Sequence, residues 1–306
     1  MKRNWFVDWL VYMVVRVLIC LIQSVRMETC HSAARVLAFL ASSVLRVRGS
    51  VIAGNLATAF PELTLPQRRR LSRAMWEHLI LMVCEIAHAP RKIHRRNWHQ
   101  FVHIERKREL VRYLLDPRPM VMVSAHLGNF EIGGYVTGLL GFPSYTVARK
   151  LDNPYLDRFV NRFRSANGQF ILPKQGSAAE IDALLQGQGL LMALGDQHAG
   201  PKGCWVDFFG KPASYHKAIG LFPLMHGAPL LLTYAIRSGR PLHFEMGLVG
   251  AADPREPSQQ LGGVEPLTRW YNAALEALIR RTPDQYWWLH RRWKGEPPRR
   301  RRAAAA

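Results

Sequence analysis

Residues 120–134, MVMVSAHLGNFEIGG, contain the pattern that decides the fold of this chain. The first five residues are apolar or small, which is typical of a short buried strand. The apolar run then breaks into a polar turn around Gly128, and a new apolar pattern begins at Phe130 as the first turn of a helix. Since open α/β sheets bind ligands at the carboxyl ends of their strands, this corner is a candidate site.

Two groups suited to proton transfer flank the turn, His126 and Glu131. A histidine and a carboxylate can act as a base and the group that orients it. Five helical residues correspond to about 140° of rotation, so the two side chains meet only if the turn at Gly128 is non-helical. With 12 histidines and 22 acidic residues in 306, this spacing is expected about once by chance. The spacing alone therefore leaves open a second interpretation, a polar corner with a hydrogen-bonded histidine.

The composition indicates a folded, strongly basic protein. Hydrophobic residues make up 48% of the chain, which is ample for a packed core. The net charge of +20 implies an acidic partner: nucleic acid, an anionic membrane surface, a phosphorylated substrate or an acidic carrier protein. The four cysteines form no CxxC pair, which argues against a disulfide framework or a structural zinc site and favours a reducing compartment.

Residues 5–22, WFVDWLVYMVVRVLICLI, form an apolar segment that is long enough to cross a bilayer. Asp8 and Arg16 interrupt it, and charges are costly at the centre of a membrane. No small-residue cleavage site follows, so we do not expect a cleaved signal. Two interpretations remain: a spanning helix with these charges near the interfaces or against protein, or an amphipathic anchor in the interface. Both interpretations attach the protein to a membrane.

The rest of the chain alternates between predicted strands and helices. Strands are predicted at residues 144–148, 169–172, 189–194, 229–236 and 242–249, and helices at 49–60, 66–88, 155–164, 178–185, 213–225 and 267–281. Such alternation predicts an α/β fold with a mixed sheet covered by helices on both faces. His126, Asp196 and Arg149 each follow a predicted strand, so we expect them to line one crevice at the same edge of the sheet.

The other candidate site residues have more than one interpretation. Arg149 with Lys150 is either an anion-binding pair or a solvated pair. Asp196 is either a site residue or a cap. We predict residues 203–211, GCWVDFFGK, as a loop whose dense apolar side chains are covered by protein, lipid or an acyl chain. His198 near Asp196 suggests a metal pair, but no third ligand stands at metal spacing, so we predict no metal site.

Motifs narrow the function classes further. The chain has no GxSxG nucleophile elbow, no phosphate-binding loop, no three-glycine dinucleotide turn and no HExxH zinc motif. Residues 283–294, PDQYWWLHRRWK, interleave aromatic and basic side chains, a pattern that fits a membrane interface or single-stranded nucleic acid. The other basic residues are scattered and no RNA-binding signature occurs, so we expect no nucleic-acid partner.

Together these segments resemble the lipid A biosynthesis lauroyl/myristoyl acyltransferase family, a branch of the glycerolipid acyltransferase-like superfamily. The resemblance runs from about residue 50 to residue 294. It is carried, in chain order, by Asn55-Leu56, Ala59-Phe60-Pro61-Glu62, Ala125-His126-Leu127-Gly128-Asn129-Phe130-Glu131, Arg149, Asn153-Pro154, Gly195-Asp196-Gln197, Val206-Asp207-Phe208-Phe209-Gly210, Gly227-Ala228-Pro229 and residues 283–294. Several separate segments in the same order are far more specific than the spacing of His126 and Glu131 alone.

The resemblance implies acyl transfer from a thioester, on acyl carrier protein or coenzyme A, to a hydroxyl of a membrane glycolipid such as a lipid A precursor. It implies that His126 is the general base and that Glu131 fixes its tautomer, with no cofactor, metal or covalent acyl-enzyme. The residues it implies for substrate binding are Asn129, Arg149, Arg164, Asp196, Gln197, Phe208 and Phe209. The arginines would hold an acceptor phosphate or the pantetheine phosphate of the donor, and the phenylalanines would border the acyl path.

The expected organisation is a membrane-anchoring region at residues 1–48, an acyltransferase domain at 49–294 and a basic, alanine-ending tail at 295–306. The resemblance implies the bacterial inner membrane, with the catalytic domain facing the cytoplasm and an anionic membrane surface as a partner. Two alternatives stay open. One is transfer to another lipid, such as a phospholipid, an aminolipid or a mannosylated lipid, and the other is a non-catalytic basic protein that binds membrane or nucleic acid.

Overall fold

A seven-stranded sheet with helices on both faces forms the centre of the protein, which the computed structural model describes over residues 4–256 and 262–298. Of the predicted tail at 295–306, residues 299–306 lie outside the described residues. The strands are β1 (Val102–Glu105), β2 (Met120–Ser124), β3 (Ser144–Ala148), β4 (Gln169–Pro173), β5 (Leu190–Leu194), β6 (Cys204–Phe208), β7 (Lys211–Tyr215), β8 (Leu230–Arg237) and β9 (Phe244–Ala252). The helices are α1 (Trp5–Ser24), α2 (Met27–Phe39), α3 (Gly49–Ala59), α4 (Leu65–Lys92), α5 (Lys107–Leu114), α6 (Phe130–Leu139), α7 (Pro154–Ser165), α8 (Ala178–Gln186), α9 (Ala218–His226) and α10 (Val264–Arg281), with a π-helical turn at Leu40–Val44 and 3₁₀ turns at Trp98–Gln100 and Pro283–Gln285.

The sheet has the strand order β1-β9-β8-β2-β5-β3-β4. All neighbouring strands in it are parallel except β8 and β9, which are antiparallel. The strand β2 is therefore a central strand, hydrogen-bonded to β5 on one side and to β8 on the other. This arrangement confirms the predicted mixed α/β fold.

The two faces of β2 pack against different helices. Val121 and Val123 lie in a cluster with residues of α9 and α10, whereas Met120 and Met122 lie in a cluster with residues of α5. All four side chains are buried. A strand that is covered on both faces needs apolar side chains at every position, which explains the unbroken apolar run that predicted β2.

The prediction of a loop at residues 203–211 is wrong, because β6 and β7 form an antiparallel hairpin there. Cys204, Val206 and Phe208 are buried while Asp207 between them is exposed. This alternation is the two-residue period of a strand with one buried face. The apolar density of the segment therefore reflects a strand packed on the core.

The hairpin turn also changes the boundary of the following helix. Phe209 and Gly210 both have positive φ, 51° and 69°, as a two-residue hairpin turn requires. The returning strand β7 takes residues 213–215 out of the helix that was predicted at 213–225. Consequently α9 begins only at Ala218.

The helix α1 is the one helix of the described residues that is long and apolar enough to cross a membrane by itself. None of its residues is buried in the protein. The segment Met27–Val44 and α3 would make a second candidate only as one broken span, because they meet at an angle of 92°.

The helix α1 contacts α7 through the backbone of Asp8 and the side chain of Arg16. The side chain of Asn153, which caps α7, donates to the carbonyl oxygen of Asp8 at 2.7 Å. The guanidinium of Arg16 lies over the ring of Phe159, 4.9 Å from the ring centroid. Arg16 therefore lies against protein, as one of the predicted arrangements of α1 requires.

Candidate active site

His126 and Asp196 meet at the carboxyl edge of the sheet. The parallel strands β2 and β5 pair Ser124 with Leu194, which are the last residues of the two strands. His126 and Asp196 each lie two residues beyond these ends. The strand register therefore brings together two side chains that are 70 positions apart in sequence.

Asp196 binds His126 at two points. The Nδ1 atom of His126 lies 2.8 Å from Oδ1 of Asp196, and the backbone N–H of His126 donates to Oδ2 at 3.0 Å. Because an ionised carboxylate only accepts hydrogen bonds, Nδ1 carries the proton and Nε2 holds the lone pair. The contact fixes both the tautomer and the orientation of the imidazole.

The pKa values of both groups reflect this contact. Burial raises the pKa of the Asp196 carboxyl, but the charge and hydrogen bonds of His126 and the charge of Arg292 outweigh burial and place this pKa below its ordinary value. Burial lowers the pKa of the His126 imidazole, but the Asp196 contact and the charge of Glu131 raise it above its ordinary value. The site thus holds an ionised carboxylate beside an imidazole of increased basicity.

The Nε2 atom of His126 faces groups that can admit a substrate. The side-chain nitrogen of Gln197 lies 3.2 Å from it, and Gln197 is exposed to solvent. The rings of Phe130 and Trp287 stand edge-on to the imidazole, with centroids 5.1 and 5.0 Å away. A hydroxyl that displaced the exposed amide would reach the lone pair of Nε2 between two aromatic walls.

The structure corrects the predicted contact between Glu131 and His126. Glu131 lies in the first turn of α6, and its carboxylate forms an ion pair with Arg164, whose Nε donates to Oε2 at 3.0 Å. Since α6 begins at Phe130, the non-helical turn that the predicted contact needs ends before Glu131. Asp196 takes Nδ1 instead, and Glu131 affects His126 through its charge.

Asn129 caps α6 and has no free surface for the predicted substrate contact. Its side-chain oxygen accepts from the N–H of Ile132 at 3.3 Å, and its amide donates to Glu85 at 3.0 Å. The residue is completely buried. In the structure Asn129 therefore holds the start of α6 in place and has no surface for a substrate.

Phe208 and Phe209 belong to the protein core, which corrects their expected place beside an acyl path. They are 0% and 8% exposed. Phe208 packs against Trp293, and Phe209 packs edge-on against Phe60. The sequence left open whether protein, lipid or an acyl chain covers these side chains, and in the structure protein covers them.

The two candidate arginines differ in their surroundings. Arg149 follows β3 as predicted, but its side chain is 77% exposed and pairs with Asp152 at 2.8 Å. Arg164 is mostly buried against Glu131. The structure thus brings Arg164 to the His126 corner through Glu131 and leaves Arg149 on the surface.

Residues 1–295 match the family of bacterial lipid A biosynthesis acyltransferases. The chain belongs to this family. Two relatives from Escherichia coli (strain K12) are each 25% identical to it: a lipid A biosynthesis lauroyltransferase over 263 residues, which cover 84% of this chain and 83% of the relative, and a lipid A biosynthesis palmitoleoyltransferase over 268 residues, which cover 84% and 82%. The solved structure of the 1-acyl-sn-glycerophosphate acyltransferase from Thermotoga maritima aligns with 86% of this chain and 100% of its own, at 11% identity and a TM-score of 0.42.

The family confirms the resemblance seen in the sequence. The protein is an acyltransferase of lipid A biosynthesis. The alternative of a non-catalytic basic protein is therefore excluded.

The C-terminal segment of the acyltransferase closes the corner, a role that its composition did not indicate. The backbone N–H of Trp287 donates to the carbonyl of His126 at 2.9 Å, and the N–H of Gly128 donates to the carbonyl of Gln285 at 2.9 Å. Trp288, the next residue, is 1% exposed. The interleaved aromatic and basic residues predicted an interface with membrane or nucleic acid. In the structure Trp287 lines the His126 corner and Trp288 is buried in the core.

The acyltransferase also has buried polar residues behind the corner that sequence reasoning missed. His78 and Glu85 lie seven residues apart on α4, and both are buried along with Met75 and Met82 of the same helix. Polar residues within the apolar face of a helix were the signal that could have found them.

Proposed function

We propose that the enzyme transfers a fatty acyl chain from a thioester donor, on acyl carrier protein or coenzyme A, to a hydroxyl of a lipid A precursor, with His126 as the general base and Asp196 as the residue that orients it. The observation that carries the proposal is the 2.8 Å contact between Nδ1 of His126 and Asp196. It leaves Nε2 as the proton acceptor.

The reaction needs one base and no covalent enzyme intermediate. The acceptor hydroxyl gives its proton to Nε2 of His126 as its oxygen attacks the thioester carbonyl carbon. Asp196 stabilises the imidazolium that forms. When the tetrahedral intermediate collapses, the carbon–sulfur bond breaks and the thiolate takes the proton back from Nε2. Proton transfer of this kind is typically worth about 10²–10⁴-fold in rate.

We assign Gln197, Arg164 and Arg149 to the substrates. The amide of Gln197 stands where the acceptor hydroxyl must bind, 3.2 Å from Nε2, and its exposed side chain can move aside and donate to the substrate. Arg164 presents a guanidinium held by Glu131, and Arg149 adds a solvated charge on the same sheet edge. Both suit a phosphate of the acceptor or of the pantetheine arm.

We further propose that residues 1–48 attach the enzyme to the bacterial inner membrane and that residues 49–294 form its catalytic domain, facing the cytoplasm. The unburied apolar surface of α1 supports attachment. We place the catalytic domain on the cytoplasmic side because the thioester of acyl carrier protein or coenzyme A must reach it. The net charge of +20 would attract anionic lipid and an acidic carrier protein alike.

The test is a reconstituted assay with a lipid A precursor and, in parallel, acyl carrier protein and coenzyme A thioesters. Mass spectrometry should show that the acceptor gains the mass of one acyl group. The reaction in which this gain occurs shows which thioester is the donor. His126→Ala should lower kcat by about 10²–10⁴-fold. His103→Ala is the control, because His103 lies on edge strand β1 and its side chain is 72% exposed. Full activity of folded His126→Ala would refute the mechanism, and acylation of a phospholipid in preference would refute the acceptor.

A further inference from the structure

We propose that Glu85, Arg237 and His78 form a positioning network, which holds the loop that carries His126 in its reactive geometry. The inference rests on the proposed role of His126. The three residues come from two elements, α4 and β8, whereas the imidazole itself is hydrogen-bonded to Asp196 and Gln197. The three network residues act on the loop residues that follow His126, which are Gly128 and Asn129.

Glu85 is the centre of the positioning network. It is completely buried, and its carboxylate accepts four hydrogen bonds. Arg237 donates two of them, from Nε at 2.6 Å and from Nη2 at 2.8 Å. The backbone N–H of Leu242 donates the third at 3.1 Å, and the amide of Asn129 donates the fourth at 3.0 Å. A bidentate pair of this kind is strong and geometrically specific.

His78 links this pair to the loop backbone through two hydrogen bonds. Its Nδ1 lies 2.9 Å from Nη1 of Arg237, and its Nε2 lies 3.2 Å from the carbonyl oxygen of Gly128. A guanidinium can only donate, so Nδ1 is the acceptor and Nε2–H donates to Gly128. Burial, joined by the charge of Arg237, lowers the pKa of His78 to about 3, so the imidazole stays neutral and keeps this tautomer.

Gln285 of the C-terminal segment is hydrogen-bonded to both Arg237 and Gly128. Gln285 accepts from the N–H of Arg237 at 2.8 Å and donates to its carbonyl at 2.9 Å. The carbonyl of Gln285 accepts from the N–H of Gly128 at 2.9 Å. The peptide group on each side of Gly128 is therefore held by a partner whose position depends on Arg237.

Fold stability alone gives no reason for this arrangement. A buried ion pair is often no more stabilising than apolar residues of the same volume, because both charges lose their hydration. Apart from the N–H of Leu242, the partners of the pair lie on the loop or bind it: Asn129 belongs to the loop, and His78 and Gln285 are each hydrogen-bonded to Gly128. A displacement of about 1 Å at a reacting group can cost about 10²-fold in rate, which makes a rigid support for His126 valuable.

A second buried ion pair, remote from the loop, provides a control. Arg118 lies just before β2, at the opposite end of the strand from His126, and binds Asp253 through two hydrogen bonds of 2.8 Å. The side chains of Arg118 and Arg237 are each 11% exposed, and those of Asp253 and Glu85 are 3% and 0% exposed. Arg118 also pairs with Asp116 at 2.8 Å, so neutralising Asp253 removes one of its two carboxylate partners. Asp253→Asn thus disturbs a buried ion pair without touching the loop.

The experiment measures Tm, kcat and KM for Glu85→Gln, Asp253→Asn, His78→Leu and His78→Gln in the full-length enzyme. Glu85→Gln and Asp253→Asn should both lower Tm. Only Glu85→Gln and His78→Leu should lower kcat by about tenfold or more, with KM changed less than about threefold, because the loop carries the base and not the binding surface. His78→Gln should recover most of kcat, since its amide N–H can still donate to Gly128.

Two results would overturn the inference. One is an equal loss of kcat in Asp253→Asn, which would make the effect one of stability. The other is unchanged kcat in both His78→Leu and Glu85→Gln while His126→Ala is inactive. If Glu85→Gln does not fold, the pair His78→Gln and His78→Leu decides the matter. Full activity of His126→Ala would instead refute the proposed mechanism, so the two failures are distinguishable.

Discussion

At the scale of the residue, the decisive contact is between His126 and a carboxylate from a neighbouring strand. Asp196 has both oxygens on His126, one at the ring and one at the backbone, while Glu131 five residues away is paired with Arg164. The two acids therefore differ in effect. Asp196 sets the tautomer and the charge environment of the His126 imidazole, whereas Glu131 affects that imidazole through its charge only.

This difference predicts distinct pH profiles for two variants. Asp196 raises the pKa of His126, so Asp196→Asn should lower that pKa and move the acid limb of kcat to lower pH. It should also lower kcat by about 10²–10⁴-fold, because an asparagine amide turned toward Nδ1 favours the wrong tautomer. Glu131→Gln should shift the acid limb in the same direction with a smaller loss of kcat. An acid limb that moved to higher pH in Asp196→Asn would contradict the assignment.

Gly128 gives a second prediction at this scale. Its φ is +62°, and a Cβ there would lie 2.0 Å from the carbonyl oxygen of Ala235. Gly128→Ala should therefore lower the free energy of unfolding by more than the roughly 1–2 kcal/mol expected for the left-handed conformation alone, and should also lower kcat. Gly227→Ala is the control, because Gly227 has φ +58° and a methyl group there would meet no atom of the described residues within 4 Å. Denaturant unfolding compares the two, and equal losses would contradict the steric argument.

At the scale of the element, Asn153 joins α1 to α7. Its side-chain oxygen accepts from the N–H groups of Tyr155 and Leu156, at 3.0 and 3.1 Å, and its amide donates to Asp8. One side chain thus serves both as a helix cap and as a link between elements. The two roles use different atoms and can be separated by substitution.

Asn153→Ala should destabilise α7 by about 1 kcal/mol through loss of the cap and should loosen α1 as well. Asn153→Asp keeps the cap acceptors but loses the donor to Asp8, so only α1 should loosen. Hydrogen exchange of the amides in each helix measures the effects separately. Faster exchange in α7 of Asn153→Asp, or unchanged exchange in α1, would contradict this division of roles.

At the scale of the whole molecule, the proposed membrane attachment combines apolar surface with positive charge. The helix α1 has no buried residue, and the chain carries a net charge of +20. Charge attraction to anionic lipid weakens in high salt, because ions screen it, whereas burial of apolar side chains in lipid does not. The contributions of charge and of apolar burial to membrane binding can therefore be separated by measuring binding at low and high salt concentration.

We expect the full-length enzyme to stay bound to anionic vesicles in high salt. The double variant Val14→Asp with Leu18→Asp should be released, since these side chains are 60% and 53% exposed on α1 and each aspartate costs up to about 3 kcal/mol in the membrane centre. Leu115→Asp is the control, as Leu115 is 70% exposed just after α5. Vesicle sedimentation measures all three, and release of the parent enzyme by salt alone would contradict attachment through α1.

The fold was predictable where the pattern is local. The strand β2 and the start of α6 follow from an apolar run, a polar turn and a new apolar period within fifteen residues, and both have the predicted bounds. The same local reasoning failed at residues 203–211. In a hairpin of two five-residue strands, the alternation of buried and exposed side chains spans too few residues to be distinguished from an apolar loop. Only the pairing of β6 with β7 distinguishes the two.

The sequence by itself determined the α/β fold, the corner at His126 and the family, because apolar periodicity, turn chemistry and the order of motifs are properties of the chain alone. Only the tertiary structure decided that Asp196 and not Glu131 binds the imidazole, and that His78, Glu85 and Arg237 stand behind the loop. These contacts depend on strand register and on the approach of α4 side chains to Arg237 at the end of β8, over separations of 70 and 152 residues. No local sequence pattern encodes contacts between residues so far apart in sequence, because such contacts form only when all the elements pack together.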